Sequence, residues 1–364
     1  MHQLTRTFSF HRIDFLLLLP ALALWGISLL VLSSISPILL RQQFLYGLAG
    51  LFLYFVFLNL DFRVLGLFYK QIYIGILLLL GLIFIIGFES KGATRWIEIF
   101  GVSFQFSELL KPFFILVFAY FLSKSNAHSF STFVKSLLVL FPIFFLVMRQ
   151  PDLGNAIIYF ITAFCMMFAY GFPFRYFFGL GALIVLPMPI FYNLLHEYQR
   201  QRIVSFLNST SDPFGSSYNA IQALIAVGSG QLMGKGFGQA TQSNLRFLPE
   251  RHTDFIFATM SESFGFIGGI VVISLFALLL LRIYKISMSA IDSFSHLLAT
   301  GLFYVVLVHA FFNIGMNLGI LPIVGITLPF VSYGGSSLVT NFVILGILSV
   351  IHSEEKRSKI FEIR

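Results

Sequence analysis

The chain has 364 residues, of which 58% are hydrophobic, 10% are charged and 47 are Phe, and its formal net charge at pH 7 is +8. A mean hydropathy of +0.91 excludes a soluble globular domain and indicates a membrane protein with several spans. The single cysteine, Cys165, excludes an intrachain disulfide framework and a cysteine-based metal centre.

Apolar runs long enough to cross or nearly cross a bilayer recur about ten times along the chain. A backbone in lipid must satisfy its own hydrogen bonds, and these runs are too long for barrel strands, so we expect helices. The sequence therefore predicts an all-α, polytopic integral membrane protein in which residues 1–364 form a single transmembrane domain. No close cleavage site follows the first run, which we expect to be retained as a helix. The predicted spans are 13–33, 44–60, 72–88, 108–123, 135–148, 153–170, 174–195, 254–281, 297–316 and 335–352.

Lys and Arg residues in the short loops predict the topology of these spans. With the N-terminus inside, most of these residues fall on the inner side, so we expect both termini in the cytoplasm. Residues 196–253 then form a long extracytoplasmic loop between helices 7 and 8. The basic tail KRSK (356–359) is most simply an anchor to anionic membrane lipids.

This topology places four polar segments on the outer side, whereas the inner loops are short. Transporters usually keep their working residues near the midplane of the bilayer, at broken helices. The one-sided placement therefore predicts a site that opens outward. The four segments are 90–112, 148–156, 196–254 and 317–337.

The long loop contains two stretches with specific interpretations. IQALIAVGSG (221–230) carries apolar residues on one helical face, which fits either a helix at the membrane surface or a helix that covers other spans. GSGQLMGKGFG (228–238) lacks the spacing of a phosphate-binding loop. We interpret it as a turn between surface helices, in which Lys235 could still touch a phosphate.

Charged groups at a membrane boundary cost free energy and usually have a partner or a task. Asp254 follows Thr253 at the start of an apolar run. It either caps the helix or is a site carboxylate that accepts a proton or holds a divalent ion. Glu262 lies roughly two turns further along, and a structural hydrogen-bonding role is favoured for it.

Two polar positions near other helix starts allow similar alternatives. Glu108 and Lys111 follow the capping candidate Ser107 and either pair with each other or leave Lys111 facing an anionic ligand. Asp152 in QPDLG either caps the sixth span or belongs to the site.

Basic residues on the outer side point to an anionic ligand. Arg95 and Trp96 either lie in the interfacial belt or grip a phosphate and stack on a sugar. Arg200 and Arg202 either contact lipid headgroups or bind the same ligand. Most basic residues of the short loops lie inside, yet several lie outside. An anionic, lipid-linked substrate that binds at the outer face explains these outer basic residues.

At these same residues the sequence resembles the SEDS family (shape, elongation, division and sporulation proteins), which includes RodA and FtsW. The resemblance covers nearly the whole chain, and EYQRQRI, GILPIVGITLPF and the short termini are more similar to RodA. It is carried by GATRWIEIFGVSFQFSELLKP (92–112), QPDLGNA (150–156), YQRQRIVSFLNSTSDPFGSSYNAIQALIAVGSGQLMGKGFG (198–238), TQSNLRFLPERHTDFIFATMSESFGFIGG (241–269) and NIGMNLGILPIVGITLPFVSYGGSSL (313–338).

The resemblance implies a peptidoglycan glycosyltransferase that polymerises lipid II at the outer face of the bacterial cytoplasmic membrane, for cell elongation and rod shape. It implies a class B penicillin-binding protein, a transpeptidase, as partner. The essential aspartate of the family matches Asp254 in HTDFIF (252–257). Weaker roles as cavity and substrate contacts carry over to Arg95, Trp96, Glu108, Lys111, Asp152 and Gln222.

A pyrophosphate leaving group needs positive charge, from Arg, Lys or a divalent cation such as Mg²⁺ or Mn²⁺. Metal binding is therefore a second role open to Asp254. The rival functions are a lipid II flippase, a division polymerase like FtsW, and a scaffold that only activates a partner polymerase. A flippase should need polar groups through the full membrane depth. We expect no nucleic acid partner.

Overall fold

The computed structural model describes residues 12–90, 93–99, 102–127, 129–185, 218–245 and 247–362. Helices account for most of these residues. They are α1 (Phe15–Ile35), α2 (Pro37–Phe57), α3 (Phe62–Leu67), α4 (Tyr69–Ile86), α5 (Phe106–Leu109), α6 (Lys111–Ser123), α7 (Phe130–Arg149), α8 (Leu153–Tyr170), α9 (Phe174–Val185), α10 (Tyr218–Ser229), α11 (Thr241–Asn244), α12 (Ile256–Met288), α13 (Ser293–Asn317) and α14 (Gly335–Glu362). Three short strands are β1 (Phe88–Ser90), β2 (Ala93–Ile99) and β3 (Val102–Phe104).

Within the described ranges, eight helical stretches are long and apolar enough to cross a membrane, with α5 and α6 counted together. Helix α4 is apolar but shorter, and α9 reaches the end of a described range. The helical membrane class is therefore confirmed. The count of about ten spans, the limits of the long loop and the single-domain assignment remain predictions.

Helix α13 lies at the centre of the bundle. It contacts α6, α8, α10, α12 and α14, and one continuous apolar core joins it to α6, α8, α12 and α14. Polar side chains on α13 can therefore reach several elements at once, including the start of α12.

The strands form a small antiparallel sheet in the order β1, β2, β3. Phe88 lies opposite Trp96, and Ile97 lies opposite Phe104. The sequence predicted a polar outer segment over 90–112 and no strands. The sheet leaves the overall class unchanged, and it fixes the direction of β2, which carries Arg95 and Trp96.

Ion pairs join the helices at the end of the bundle where α1 begins. Arg282 lies 2.7 Å from Asp14, and Arg63 lies 2.8 Å from Asp292 and 3.1 Å from Glu354. The described parts of the predicted outer segments lie at the opposite end. The ion pairs and the predicted outer segments thus lie at opposite ends of the bundle, as expected. The cytoplasmic location of the termini remains a prediction.

Helix α12 is broken at Gly265, where φ is 67° and ψ is −162°. A break inside a membrane bundle is tolerated only if the freed backbone groups find new partners. The segment 231–236, called here the bridging segment, supplies these partners. Its N–H groups donate to two freed carbonyls of α12, and its carbonyls accept from two freed N–H groups of α12. These bonds join Lys235 to Glu262, Gly236 to Ser263, Phe266 to Gln231 and Ile267 to Leu232.

The Glu262 carboxylate holds the chain that follows the bridging segment. It is fully buried and accepts hydrogen bonds from Lys235 Nζ at 3.1 Å and from Thr241, Gln242 and Ser243. The structural role predicted for Glu262 is confirmed. GSGQLMGKGFG thus closes a helix break, and phosphate contact by Lys235 remains a prediction.

Replacing Gly265 by Ala is expected to lower the free energy of unfolding by on the order of 2 kcal/mol or more, because its backbone conformation is essentially restricted to glycine. An added Cβ would also stand 2.3 Å from the Gly234 nitrogen. Gly81→Ala on α4 is the matched control, since a Cβ there meets nothing within 4 Å. Thermal melting in detergent measures both, and equal melting temperatures would contradict the assignment.

Candidate active site

A polar cavity of about 360 Å³ lies at the end of the bundle opposite the start of α1. Segments distant in sequence build its wall. Four predicted site residues line it together: Arg95, Trp96, Glu108 and Asp254. The other lining residues are Gln105, Pro151, Leu153, Asn155, Glu250, Thr253, Val324, Gly325, Thr327, Tyr333, Gly334, Ser336 and Ser337.

Asp254 lies in the turn that leads into α12. Phe255 occupies the N-cap position, and the first-turn N–H of Ala258 donates to Asn317 Oδ1 at 3.0 Å. Asp254 thus lies one residue before the N-cap position, and a side chain of another helix supplies one cap of α12, while capping by Asp254 stays a prediction. The Asp254 carboxylate lines the cavity, with Oδ2 3.5 Å from where a Cβ on Gly325 would stand.

The segment that precedes α14 docks onto the same turn. Ser332 Oγ donates to the Thr253 carbonyl at 2.6 Å, and the Tyr333 N–H donates to the His252 carbonyl at 2.8 Å. Burial, together with the neighbouring Tyr46, raises the pKa of Tyr333 to about 12. The Tyr333 hydroxyl therefore keeps its proton at physiological pH, and this wall of the cavity stays neutral.

Asp152 joins three elements beneath the cavity. Of its two predicted roles the structure shows the cap, since Asp152 accepts from the Asn155 N–H of α8 at 3.4 Å. A role as a substrate contact remains a prediction. Asp152 also accepts from Gln105 Nε2 at 2.7 Å and Ser107 Oγ at 2.8 Å, and lies 3.6 Å from Arg95. The prediction that Ser107 caps the next helix is wrong, since α5 begins one residue earlier and the hydroxyl binds Asp152.

Glu108 and Lys111 form a buried ion pair at another part of the cavity wall. Lys111 Nζ lies 2.8 Å from Glu108 Oε1, which confirms the predicted pair, and 2.7 Å from His309 Nε2. Because an ammonium group only donates, His309 accepts through Nε2, and its protonated Nδ1 donates to the Thr327 carbonyl at 3.1 Å. Lys111 is 1% exposed and lies beneath the cavity, whereas Glu108 lines it.

Sequence reasoning missed several residues of this site. His309 was detectable, because an ionisable residue inside an apolar run such as VLVHAFF is expected to have a function. Gln105 and Asn155 lie within quoted motifs, yet no spacing rule indicates that two uncharged amides 50 positions apart in the sequence meet at one carboxylate.

The structure leaves two other predicted substrate contacts untested. Gln222 is on α10, which packs against α12, and it does not line the described cavity. Arg202 lies outside the described residues. The roles of both remain predictions.

A divalent cation would need ligands beyond the protein here. Among the residues that the structure describes, no three or more His, Cys, Asp or Glu side chains form a metal-binding group. Asp254 and Glu250 both line the cavity, and Mg²⁺ is commonly held by one or two carboxylates together with substrate phosphates. This donor set fits a cation shared with a bound pyrophosphate.

The comparisons with known proteins agree on one family. The family model FtsW/RodA/SpoVE, described as "Cell cycle protein", matches residues 7–357. The peptidoglycan glycosyltransferase MrdB of Escherichia coli K12 is 40% identical over 287 residues, which is 78% of each chain. The probable peptidoglycan glycosyltransferase FtsW of Geobacter metallireducens is 36% identical over 363 residues, 95% of this chain and 96% of that protein.

A solved structure shows the same fold. It comes from work on the structural coordination of polymerization and crosslinking by a peptidoglycan synthase complex. The TM-score is 0.82 at 29% identity, and the match covers 94% of this chain and 98% of the other.

Lys111→Met is expected to lower the free energy of unfolding by about 3–5 kcal/mol, because it leaves the Glu108 carboxylate buried without its partner. The double variant Glu108→Gln, Lys111→Met should be less destabilised, since it removes both charges. Thermal melting and denaturant titration in detergent measure the difference. A double variant as unstable as the single one would contradict the pairing.

Proposed function

Because the chain belongs to the FtsW/RodA/SpoVE family, we propose that it polymerises lipid II into glycan strands at the outer face of the bacterial cytoplasmic membrane. Peptidoglycan glycosyl transfer is the activity named for relatives that align with most of the chain. The observation that carries the proposal is the Asp254 carboxylate in a polar cavity that also holds Arg95.

Asp254 is the proposed general base. The hydroxyl oxygen of an acceptor sugar attacks the anomeric carbon of the donor, and the hydroxyl proton passes to the Asp254 carboxylate. The bond between the anomeric carbon and the pyrophosphate oxygen breaks, and undecaprenyl pyrophosphate leaves with the electron pair. Attack opposite the leaving group inverts the anomeric centre. Asn317 caps the Ala258 N–H, so the start of α12 does not depend on Asp254 alone.

Arg95 is the proposed contact for the pyrophosphate. Its guanidinium lies at the cavity wall, 3.6 Å from the buried Asp152, which limits its movement. A preorganised cation lowers the barrier to departure of an anionic leaving group. Trp96 beside it offers an aromatic face to a sugar ring. Lys111 acts through Glu108, which lines the cavity.

A divalent cation is a proposed cofactor. Asp254 and Glu250 would hold it, and when bound it would supply positive charge to the pyrophosphate. Such an arrangement gives Asp254 a positioning role toward the cation in addition to its role toward the acceptor hydroxyl.

The distribution of charge favours an enzyme over a flippase. Between the cavity and the ion pairs at the other end, the described spans on three long helices contain no Asp, Glu, Lys, Arg or His. These stretches are 263–281 of α12, 297–308 of α13 and 335–351 of α14. A polar headgroup would find no charged partner along this path, whereas a reaction at one face needs none.

A class B penicillin-binding protein is the proposed partner, supported by the likeness to a chain from a peptidoglycan synthase complex. Elongation and rod shape are the proposed cellular role. The RodA-like motifs support it, as does the 40% identity to MrdB over 287 residues. The FtsW relative, at 36% over 363 residues, makes a division polymerase the second candidate.

Asp254→Asn is expected to lower kcat for lipid II polymerisation by about a hundredfold to ten-thousandfold, the usual contribution of a general base. The substitution keeps the shape of the side chain and removes its ability to take the proton. The assay uses the full chain purified with its partner, in detergent, where flipping has no meaning, under varied Mg²⁺ and Mn²⁺.

Glu98→Gln is the matched control, because this carboxylate is exposed on β2 at the same end of the molecule. It should polymerise lipid II as the wild type does. Equal polymer from Asp254→Asn and wild type would rule out Asp254 as the base. No polymer from either protein under any cation would count against the enzyme itself.

A further inference from the structure

Two buried amides on α13 hold the turn that carries Asp254. Asn313 and Asn317 lie one helical turn apart and are fully buried. Both side chains point at the entrance of α12, although they follow Asp254 by 59 and 63 positions. Buried amides on a central helix are costly unless their hydrogen bonds are satisfied, so their partners indicate their task.

The first partner is the main-chain carbonyl of Asp254. It accepts from Asn313 Nδ2 at 3.0 Å and from Asn317 Nδ2 at 2.9 Å. The first helical carbonyl of α12 belongs to Phe255, which accepts from Thr259, so the carbonyl of Asp254 lies just before the helix. Two donors engage both of its lone pairs and fix the plane of the peptide that follows Asp254.

The remaining amide groups connect this carbonyl to its surroundings. Asn317 Oδ1 accepts from the Ala258 N–H at 3.0 Å, which caps α12 from another helix. Asn313 Nδ2 also donates to the Ile326 carbonyl at 2.7 Å, beside the cavity-lining residues 324, 325 and 327. The orientation of both amides follows from these carbonyl acceptors, since only their nitrogen atoms can donate.

We propose that Asn313 and Asn317 are positioning residues that orient Asp254 for the reaction. The inference rests on the proposed function, in which the Asp254 carboxylate acts on a bound sugar. Fixing the peptide after Asp254 restricts the backbone at Asp254 and so limits where its carboxylate can lie in the cavity. Displacing a reacting group by about 1 Å can lower a rate by about a hundredfold.

The test measures kcat, KM for lipid II and melting temperature on the full chain purified with its partner. Asn313→Ala and Asn317→Ala each leave one donor on the carbonyl, so each should lower kcat about tenfold, and the double variant about a hundredfold or more. KM should stay within about threefold. Ser349→Ala is the control, because it removes a buried hydrogen bond to Tyr54 at the far end of the bundle.

Asn313→Leu separates positioning from helix capping. Asn313 donates to the Asp254 carbonyl, whereas the Ala258 N–H is capped by Asn317 Oδ1. Leucine fills a similar space without a donor, so this variant should lower kcat about tenfold while the cap of α12 stays in place. Wild-type kcat for Asn313→Leu would overturn the proposal, and this variant decides the matter even if the double variant fails to fold.

Asp254→Asn in the same assay separates the two proposals. If Asp254→Asn lowers kcat and the variants of Asn313 and Asn317 keep the wild-type kcat, only the positioning proposal is overturned. Wild-type kcat for Asp254→Asn would overturn the proposed role of Asp254 and the positioning proposal with it. A fall in kcat no larger than that of Ser349→Ala at an equal loss of melting temperature would show a merely structural role.

Discussion

Irregular backbone inside a membrane bundle must find its hydrogen-bond partners within the protein, and this structure depends on how it does so. The break in α12 at Gly265 is closed by the bridging segment. The entrance to α12 is held by Asn313 and Asn317, and by Ser332 from the segment before α14. These contacts place Asp254 at the cavity, one residue before the N-cap position of α12. A rigid main chain beneath a polar cavity is the condition for a precisely placed base.

The same constraint governs the charges. Buried charges are tolerated when they are paired and hydrogen-bonded, and here each buried carboxylate near the cavity has such partners: Asp152 has Arg95, and Glu108 has Lys111. The charged groups collect at the two ends of the bundle, separated by apolar stretches of α12, α13 and α14. This separation favours chemistry at one face over passage of a polar headgroup through the membrane. It also explains why the cavity can be polar while the bundle around it stays apolar.

Hydropathy and periodicity predicted the helical class and the gathering of polar segments at one end, because both depend on local composition. The ion pair of Glu108 with Lys111 was predictable from the sequence, because the two residues are only three positions apart. The cap that Asn317 gives to α12 was not predicted, because Asn317 lies 59 positions from Ala258. The strands β1 to β3 were missed because strands of only three to seven residues carry little periodic signal. Contacts between distant uncharged amides leave no pattern in a single sequence.

The central claim is that lipid II occupies the polar cavity beside Asp254. A photoreactive benzoylphenylalanine in place of Trp96, which lines the cavity, tests it most directly. The same residue in place of Leu78, a side chain that is 68% exposed on α4, serves as the reference. Radiolabelled lipid II should crosslink at position 96, and unlabelled lipid II should compete for it, whereas position 78 should give only weak labelling without competition. Equal labelling at both positions, unaffected by competitor, would contradict the account.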